Sequence, residues 1–277
     1  LYVQSTSPLT TGSNEIQYTE TGNITLPALA AEKSPKLKFW FDCAQASPDT
    51  TLNDSSSGAR HITFEAALSA AVAWAVPGWL SLPAVSAGSK TYPTIPQATW
   101  GPQFNRNNGD SFLIFLRADV TPPGSGSSSL VASGYSNSGG NTGFKLRVAN
   151  TGLVTAGIYG ASSTVFSANP VANISSGEHS VAMFFNGQNN TVSVYVDGAA
   201  DSLGNSVSAA GDFTSTRGLV LGGEYGSSGA NHSGPAAIYR EIQIYCWSAS
   251  APSASDVATI VARLHAISGP LLATELP

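Results

Sequence analysis

Two glycine-rich stretches of the sequence combine aromatic, amide and acidic residues, which are side chains that sugar-binding sites use. The first is SGYSNSGGN at residues 133–141, and the second is GGEYGSSGANH at residues 222–232. Aromatic rings offer a large apolar face with a polar edge, and amides both donate and accept hydrogen bonds. The predicted ligand-binding rim comprises Tyr135, Asn137, Asn141, Glu224, Tyr225, Asn231 and His232. Solvated turns that contain incidental tyrosines are at least an equal alternative.

Residues that could carry catalysis are scattered, and we predict that the protein is not an enzyme. Retaining glycosidases place two carboxyl groups about 5–5.5 Å apart, but Glu224 and Glu241 have no acidic neighbour two or three positions away. The four histidines lack the spacing of a helical metal pair, and the sequence contains no G-x-S-x-G elbow. These patterns predict neither a catalytic residue nor a metal site. A carboxyl pair assembled from distant loops stays open as an alternative.

The composition argues against two classes of partner. Only 10% of the residues are charged, 28 are glycine, and the formal net charge is -5. No lysine and arginine cluster forms the positive surface that nucleic acid requires, so we expect no nucleic-acid partner. The first ten residues lack the pattern of a secretory signal, and the most apolar run, Ala66–Leu82, is interrupted by Pro77 and Gly78. We expect no membrane insertion, and a virion, cell-surface or extracellular location.

Short strands must position the two glycine-rich stretches, because strand patterns recur at close spacing from Phe112 onward. The clearest pair is His179–Gly198, in which Val192, Val194 and Val196 alternate with residues of the opposite face. An asparagine-rich turn separates its two halves, and a Val-Asp-Gly corner closes the second. The pattern predicts a β-hairpin.

A packed domain is predicted from residue 37 onward. Four alternating residues share one face of its first strand, namely Leu37, Phe39, Phe41 and Cys43. Residues 1–36 are polar, and we predict an arm or linker that docks on another subunit, with plain disorder as the alternative. The predicted organisation is therefore an arm at 1–36 and one domain at 37–277.

The last long strand is predicted at Ala237–Tyr245. Ile238, Ile242 and Ile244 mark its apolar face, and Arg240 is an exception to that pattern.

Two helices are predicted, one at each side of the strand region. The helix Ala254–Ala266 begins after Ser253, which has Asp256 three residues on in a variant of the capping box. Its apolar stripe, which should lie against the sheets, consists of Val257, Ile260, Val261 and Leu264. In Ile62–Val76 apolar residues recur every four positions in an alanine-rich setting, which favours a second helix.

Four segments resemble, in order, the motifs of laminin-G-like, concanavalin A-like jelly rolls found in phage tail and bacterial surface proteins. LKFWFDCA resembles their first strand, and NDSSSGARH resembles the turn that follows it. Tyr195-Val196-Asp197-Gly198 resembles the end of their central hairpin, and EIQIY with the SASD helix start resembles their closing strand and helix. The resemblance covers roughly residues 37–268. It implies an all-β fold, an antiparallel two-sheet jelly-roll β-sandwich with a short C-terminal helix.

The same resemblance implies a binding module. We expect a non-enzymatic virion or cell-surface protein, and we favour a phage tail or baseplate adhesin that recognises a host-surface glycan or protein. Its other partners would be virion proteins and further copies of itself, for instance in a trimer. One alternative is a structural virion component, such as a capsid decoration or tail scaffold. Another is a secreted polysaccharide-active enzyme, although the sequence lacks the E-x-D-x-x-E run of glucanases with this fold.

Two further expectations follow from the resemblance. Laminin-G-like domains often hold calcium at the sandwich rim through carboxylate and carbonyl oxygens, and Asp119, Asp197 and Asp212 stand at predicted strand ends. Turn formation is the favoured alternative for these residues, and we predict no cofactor beyond that optional ion. The first and last strands of the fold lie side by side, so Cys43 and Cys246 could lie close together as free thiols.

Overall fold

The computed structural model consists of β-strands and one helix in the part of the chain that it describes. It describes residues 17–18, 24–25, 36–43, 51–56, 58, 61–63, 73–75, 79–82, 84, 94–95, 99, 109–133, 143–159, 164–166, 173–207, 218–225, 231–232, 234–267, 269, 271 and 276. The strands are β1 (Gln17–Tyr18), β2 (Ile24–Thr25), β3 (Leu37–Asp42), β4 (Thr51–Leu52), β5 (Ile62–Thr63), β6 (Ala73–Ala75), β7 (Trp79–Leu82), β8 (Thr94–Ile95), β9 (Ser111–Thr121), β10 (Ser127–Ser133), β11 (Gly143–Ala149), β12 (Val154–Tyr159), β13 (Thr164–Phe166), β14 (Gly177–Asn186), β15 (Thr191–Val196), β16 (Ala199–Ser206), β17 (Leu219–Leu221), β18 (Glu224–Tyr225), β19 (Asn231–His232) and β20 (Ala236–Trp247). The helix is α1 (Ala254–Ala266).

Most strands belong to two antiparallel sheets that face each other. The first sheet has the order β16-β15-β14-β9-β20-β7-β6, and β3 pairs with β20 beside that path. The second sheet has the order β13-β12-β11-β10-β17-β8-β5-β4. Alternate residues of both sheets bury their side chains between them, as a β-sandwich requires. The predicted fold class, an all-β two-sheet sandwich with a short C-terminal helix, is confirmed.

The central strand β9 lies between β14 and β20 in the first sheet, and it is buried on both faces. Phe112 and Ile114 face the core between the sheets. Leu113 and Phe115 face the opposite side, where α1 packs. A strand with apolar residues on both faces is typical of such a position, and residues 112–116 of the sequence are all apolar.

Helix α1 lies on the outer face of the first sheet. Its buried residues are the predicted stripe of Val257, Ile260, Val261 and Leu264. Ser253 caps its first turn and forms the capping box with Asp256. At the other end, the Arg117 guanidinium donates to the carbonyl oxygens of Leu264, His265 and Ile267 at 2.7–2.9 Å. The predicted helix and its packing are confirmed.

The Val-Asp-Gly corner joins β15 to β16. Asp197 and Gly198 have φ angles of 49° and 78°, as the two central residues of a type I′ turn require. The Asp197 carboxylate accepts from the Ser180 N–H at 3.0 Å and contacts His179 Nδ1 at 2.8 Å. The predicted hairpin of β14 and β15 is confirmed, and Asp197 fixes the position of its closing turn.

Strand β20 changes faces at one bulge. Its register with β9 shifts between Tyr239 and Glu241, so that odd residues such as Tyr239 face the core before Arg240 and even residues such as Ile244 face it afterwards. A bulge inserts one unpaired residue and reverses which side chains point inward. Ile238, which the sequence placed on the apolar face, is therefore only half-buried and lies outside the core.

A second register shift, between Ile244 and Tyr245, affects strand β3. Phe39, Phe41 and Cys43 face the core between the sheets as predicted. Leu37, expected to share their face, instead packs with the residues under α1.

The two cysteines are buried but lie far apart. Strands β3 and β20 do run side by side, yet the Cys43 N–H bonds to the Arg240 carbonyl and the Cys246 N–H bonds to the Lys36 carbonyl. Six residues of extended strand separate these two points, which is roughly 20 Å. The expectation that the thiols lie close together is wrong, because the strands pair in antiparallel fashion and place them at opposite ends.

The helix predicted at Ile62–Val76 is also wrong where the structure describes it. Ile62 and Thr63 form β5, and Ala73–Ala75 form β6, while residues 64–72 lie outside the described part. Pairing with neighbouring strands outweighed the helical preference of alanine. In the predicted arm, β1 pairs with β2, and the boundary at residue 36 stays a prediction. No helix of the described chain has the length and apolarity to cross a membrane.

Candidate functional site

A short antiparallel ladder brings four of the predicted site residues together. Strand β18 pairs with β19, so that Glu224 is opposite His232 and Tyr225 is opposite Asn231. The remaining predictions, Tyr135, Asn137 and Asn141, lie outside the described residues. The second glycine-rich stretch therefore forms a paired structure, and we call it the β18–β19 ladder.

Two glycines close the base of the segment that carries this ladder. A Cβ atom on Gly234 would lie 1.5 Å from the Gly222 carbonyl oxygen, so only glycine permits this approach. Gly222 has a φ of 68°, and its N–H donates to the Leu130 carbonyl at 2.8 Å. Both ends of residues 222–234 are thus held together and fixed to β10.

The two predicted loops do not leave β10 in the same direction. Residues 134–142 follow Ser133 at the C-terminal end of β10. Because β17 is antiparallel to β10, the chain from Gly222 runs toward the N-terminal end of β10. The anchors of the two loops therefore do not support one shared rim, although the seven residues remain a prediction.

A groove opens next to the ladder, between two segments that cross from one sheet to the other. One segment leads from β9 to β10, and the other leads through Gly234 and Pro235 into β20. They meet where Thr121 pairs with Ala236. This crossover groove has a volume of about 450 Å³ and is lined by Ala84, Thr121, Pro122, Pro123, Gly124, Ser125, Ser128, Gly234, Pro235 and Ala236.

The lining of the crossover groove offers small hydroxyls and proline rings. Thr121, Ser125 and Ser128 supply hydroxyl groups, each of which can donate and accept hydrogen bonds. Pro122 and Pro123 are half-buried, and their rings give apolar surface. Such a mixture of apolar surface and a few polar groups is typical of small-ligand sites. No local sequence pattern indicated this groove, because its lining comes from segments more than a hundred residues apart.

A charge cluster lies on the strands that lead into the groove. The Arg240 guanidinium contacts Glu178 at 2.7 Å and Asp119 at 3.1 Å, and it lies 3.7 Å over the centre of the Trp79 ring. Glu178 also contacts Arg117 at 3.7 Å. Arg240 broke the apolar pattern of its strand, which was the sequence signal for this cluster.

A second group of cations lies on the outer face of the second sheet. Lys145 is only 5% exposed and is paired in register with Ala132 and Gly157. Two residues on, Arg147 Nε donates to Thr155 Oγ1 at 2.9 Å. These residues give the outer face of the second sheet a positive charge, and the described lining of the groove contains no such residue.

The residues considered for calcium have other roles where they are described. Asp119 contacts Arg240, Asp197 binds the Ser180 N–H and His179, and Asp212 lies outside the described residues. Within the described ranges, no three acidic, histidine or cysteine residues cluster as metal ligands. Asp197 therefore forms the turn between β15 and β16, and turn formation was the favoured alternative to calcium binding.

The buried residues that look reactive are shielded instead. Burial, and to a lesser degree the Asp110 charge, raise the pKa of the Cys246 thiol to about 12. Burial also raises the pKa of Tyr195 to about 12. Ser180 Oγ lies 2.8 Å from His265 Nδ1, but Ser180 is only 3% exposed. Cys246 and Tyr195 keep their protons at neutral pH, and Ser180 is enclosed, so these three residues do not define a reactive centre.

Fold and groove define a β-sandwich protein with a ligand-sized cleft at one end, and solved structures share that fold. No family model matches the sequence, and no curated protein matches it. The Trypanosoma rangeli sialidase in complex with 2,3-difluorosialic acid is similar with a TM-score of 0.57 at 16% identity, over 86% of this chain and 36% of the sialidase. A mutant of that sialidase displaying trans-sialidase activity gives 0.56 at 17% identity, over 84% and 36%.

A smaller structure is matched along nearly its whole length. The CBM40 of the Ruminococcus gnavus IT-sialidase, bound to α2,3-sialyllactose, gives a TM-score of 0.47 at 16% identity, over 66% of this chain and 97% of the CBM40. At these identities the likeness shows the fold alone. The chain spans 36% of the length of the T. rangeli sialidase. The laminin-G-like assignment therefore stays a resemblance of sequence motifs.

The comparisons contradict one prediction from the sequence. We predicted that the protein is not an enzyme, partly because the resemblance implied a binding module. The similar structures include sialidases from T. rangeli, which are enzymes. The fold therefore occurs in enzyme chains, and the absence of a local carboxyl pattern in the sequence was not a sufficient ground for that prediction.

Proposed function

We propose that this chain is a carbohydrate-binding protein whose sugar site is the crossover groove together with the β18–β19 ladder. The observation that carries the proposal is their adjacency. Gly234, two residues after His232, is itself part of the groove lining. The groove volume of about 450 Å³ falls within the range of ligand sites, roughly 300–1,000 Å³.

The chemistry of the two parts is complementary. The groove supplies proline surface and hydroxyls, and the ladder pairs residues of types that bind sugars, namely tyrosine with asparagine and glutamate with histidine. A sugar ring presents apolar C–H faces and a rim of hydroxyls, so it can use both kinds of surface. The fold likeness to sialidases and to a carbohydrate-binding module is consistent with this role.

The test is to fill the groove without disturbing the fold. A Cβ atom on Gly124 meets no atom within 4 Å, so Gly124→Trp adds a large ring to the lining without a backbone clash. We expect the full chain to bind glycans on an array and Gly124→Trp to lose that binding. Leu203→Trp is the matched control, because Leu203 is 56% exposed on β16, away from the groove.

A second variant tests the ladder. Tyr225→Ala should also abolish glycan binding and leave the melting temperature nearly unchanged, because a residue in a two-residue strand contributes little to the core. If both Gly124→Trp and Tyr225→Ala bind glycans as the parent chain does, the sugar site lies elsewhere. If the parent chain binds no glycan on the array, the proposal is wrong.

The finer form of the proposal is an adhesin of a phage tail or baseplate that attaches to a host-surface glycan. It is supported by the motif resemblance, and within this proposal residues 1–36 anchor the domain in the particle. Removal of residues 1–36 should then spare glycan binding and prevent incorporation into virions. Normal incorporation of the truncated chain would contradict the anchoring role.

A further inference from the structure

We propose that the crossover groove selects an uncharged sugar residue and disfavours one that carries a carboxylate. The inference rests on the proposed function and adds the class of ligand. It also separates this chain from the CBM40 structure that was solved with sialyllactose, an acidic glycan.

The described lining of the groove is suited to hydroxyls. Thr121 and Ser125 are exposed at its rim, and Ser128 is buried in its wall. Hydroxyl groups can pair with sugar hydroxyls in either direction. They cannot neutralise a carboxylate, which loses much of its hydration in a cleft and needs a cation or several N–H donors in return.

The arginines on the adjoining strands already have acidic partners. Arg240 in β20 is held between Glu178 at 2.7 Å and Asp119 at 3.1 Å, with one face over Trp79. Arg117 in β9 donates to three carbonyl groups at the end of α1. A ligand carboxylate that recruited either arginine would leave an acidic residue or the helix end without its partner, which costs free energy.

The overall charge of the chain acts in the same direction. The whole chain has a formal net charge of -5, and the described lining of the groove contains no cationic side chain. Like charges placed together at a binding site reduce affinity and suppress unwanted partners. An acidic sugar would therefore meet a negative environment, while a neutral sugar would meet none of these costs.

The test uses glycan pairs that differ in charge. We would measure binding of the full chain to lactose and 3′-sialyllactose, and to trigalacturonic acid and its methyl ester, within a broad array of neutral and carboxylated oligosaccharides. In every pair that binds, we expect the neutral member to bind at least about tenfold more tightly. Binding of the neutral member should change little between low and high salt, because no ion pair contributes to it.

A designed cation sharpens the test. Ser125 is exposed in the groove lining, so Ser125→Arg should reduce the preference for neutral glycans by about tenfold. Ser255→Arg, on the exposed first turn of α1, is the matched control and should leave the preference unchanged.

The outcomes distinguish this inference from the proposed function. If carboxylated members bind as tightly as neutral ones or more tightly, and Gly124→Trp removes that binding, the groove binds sugars but the inferred class is wrong. If no glycan binds the parent chain, the proposed function itself is overturned. If glycans bind but Gly124→Trp has no effect, the groove is not the site and both fail.

Discussion

The two halves of strand β20, on either side of Arg240, have opposite surroundings. The later half, from Glu241 to Trp247, is buried on both faces. The earlier half, from Ala236 to Arg240, alternates buried and half-buried residues and runs beside the crossover groove. One bulge separates them, so a single strand contributes both to the core of the fold and to the candidate site.

The later half is sealed by polar groups as well as by apolar packing. Glu241 accepts from Gln243 Nε2 at 2.7 Å and from the Gly269 N–H at 2.8 Å. The Tyr245 hydroxyl donates to Gln243 and accepts from the Leu271 N–H. These bonds tie the segment after α1 to the sheet, and they explain the EIQIY pattern as a structural feature. Buried polar groups that are fully paired fix one arrangement of the chain.

The largest expected effect on stability comes from a substitution in α1, whose buried residues pack in one cluster with Tyr245 and Trp247 from the later half of β20. Leu264 is fully buried on the face of α1 that packs against the first sheet, and Leu264→Ala should lower the free energy of unfolding by about 2–5 kcal/mol. Chemical denaturation measures the change, with Ala258→Gly at a half-buried position of the same helix as a control for helix propensity, expected near 1 kcal/mol. A loss below about 0.5 kcal/mol, the size of a surface substitution, would show that α1 does not seal the sheet.

A smaller effect is expected from the polar part of the seal. Tyr245→Phe leaves Gln243 and the Leu271 N–H without their partner, and should cost about 1–3 kcal/mol. Tyr239→Phe is the comparison in the earlier half, because the Tyr239 hydroxyl donates to the Leu130 carbonyl, which keeps a second bond from the Gly222 N–H. We expect Tyr239→Phe to cost about 0.5–1.5 kcal/mol. Equal costs for the two variants in denaturation experiments would contradict a special polar seal in the later half.

The sequence predicted the sealed half well and the site region less well. The stripe in α1 and the strand alternation are local patterns, and local periodicity determines which face is buried. The bulges at Arg240 in β20 and between Leu37 and Phe39 in β3 depend on pairing with other strands. The alternation of residues along each strand therefore predicted the wrong face there. The antiparallel register similarly separated Cys43 from Cys246.

For the candidate site, residue types in one loop could be predicted and the cavity could not. The glycine-rich stretch at 222–232 showed polar and aromatic residues, and the structure pairs four of them in one ladder. The groove lining brings Thr121 next to Ala236 through sheet pairing, which no local pattern reveals. The charge cluster around Arg240 likewise needs residues from β9, β14 and β20.

The sealed half should also respond to alkaline pH. The folded-state pKa of Cys246 is raised from 9.0 to about 12, so the folded protein keeps a proton that the unfolded chain releases. The stabilisation is fully present below pH 9, and it is lost as the pH rises from 9 toward 12. Denaturation between pH 8 and pH 11 should show this fall, and Cys246→Ala should reduce its slope. An unchanged slope in the variant would mean that the thiol is not buried in the seal.

The smallest expected effect on stability is that of a substitution in the crossover groove, which lies beside the earlier half of β20. Gly124→Trp should change the free energy of unfolding by less than about 0.5 kcal/mol, as is usual for an exposed position. The same variant should lose glycan binding. Substitutions in the groove would then affect binding, and substitutions around the later half of β20 would affect stability. A large destabilisation would show that the groove wall is part of the packed core.

The most direct test of the groove as the sugar site is backbone hydrogen exchange with and without a neutral glycan that the array identifies. We predict added protection in 121–128, in 231–232 and in 234–237, and no change in the later half of β20. Protection confined to α1, or to β11 and β12 around Lys145, would contradict the account and place the binding surface on an outer face of the sandwich.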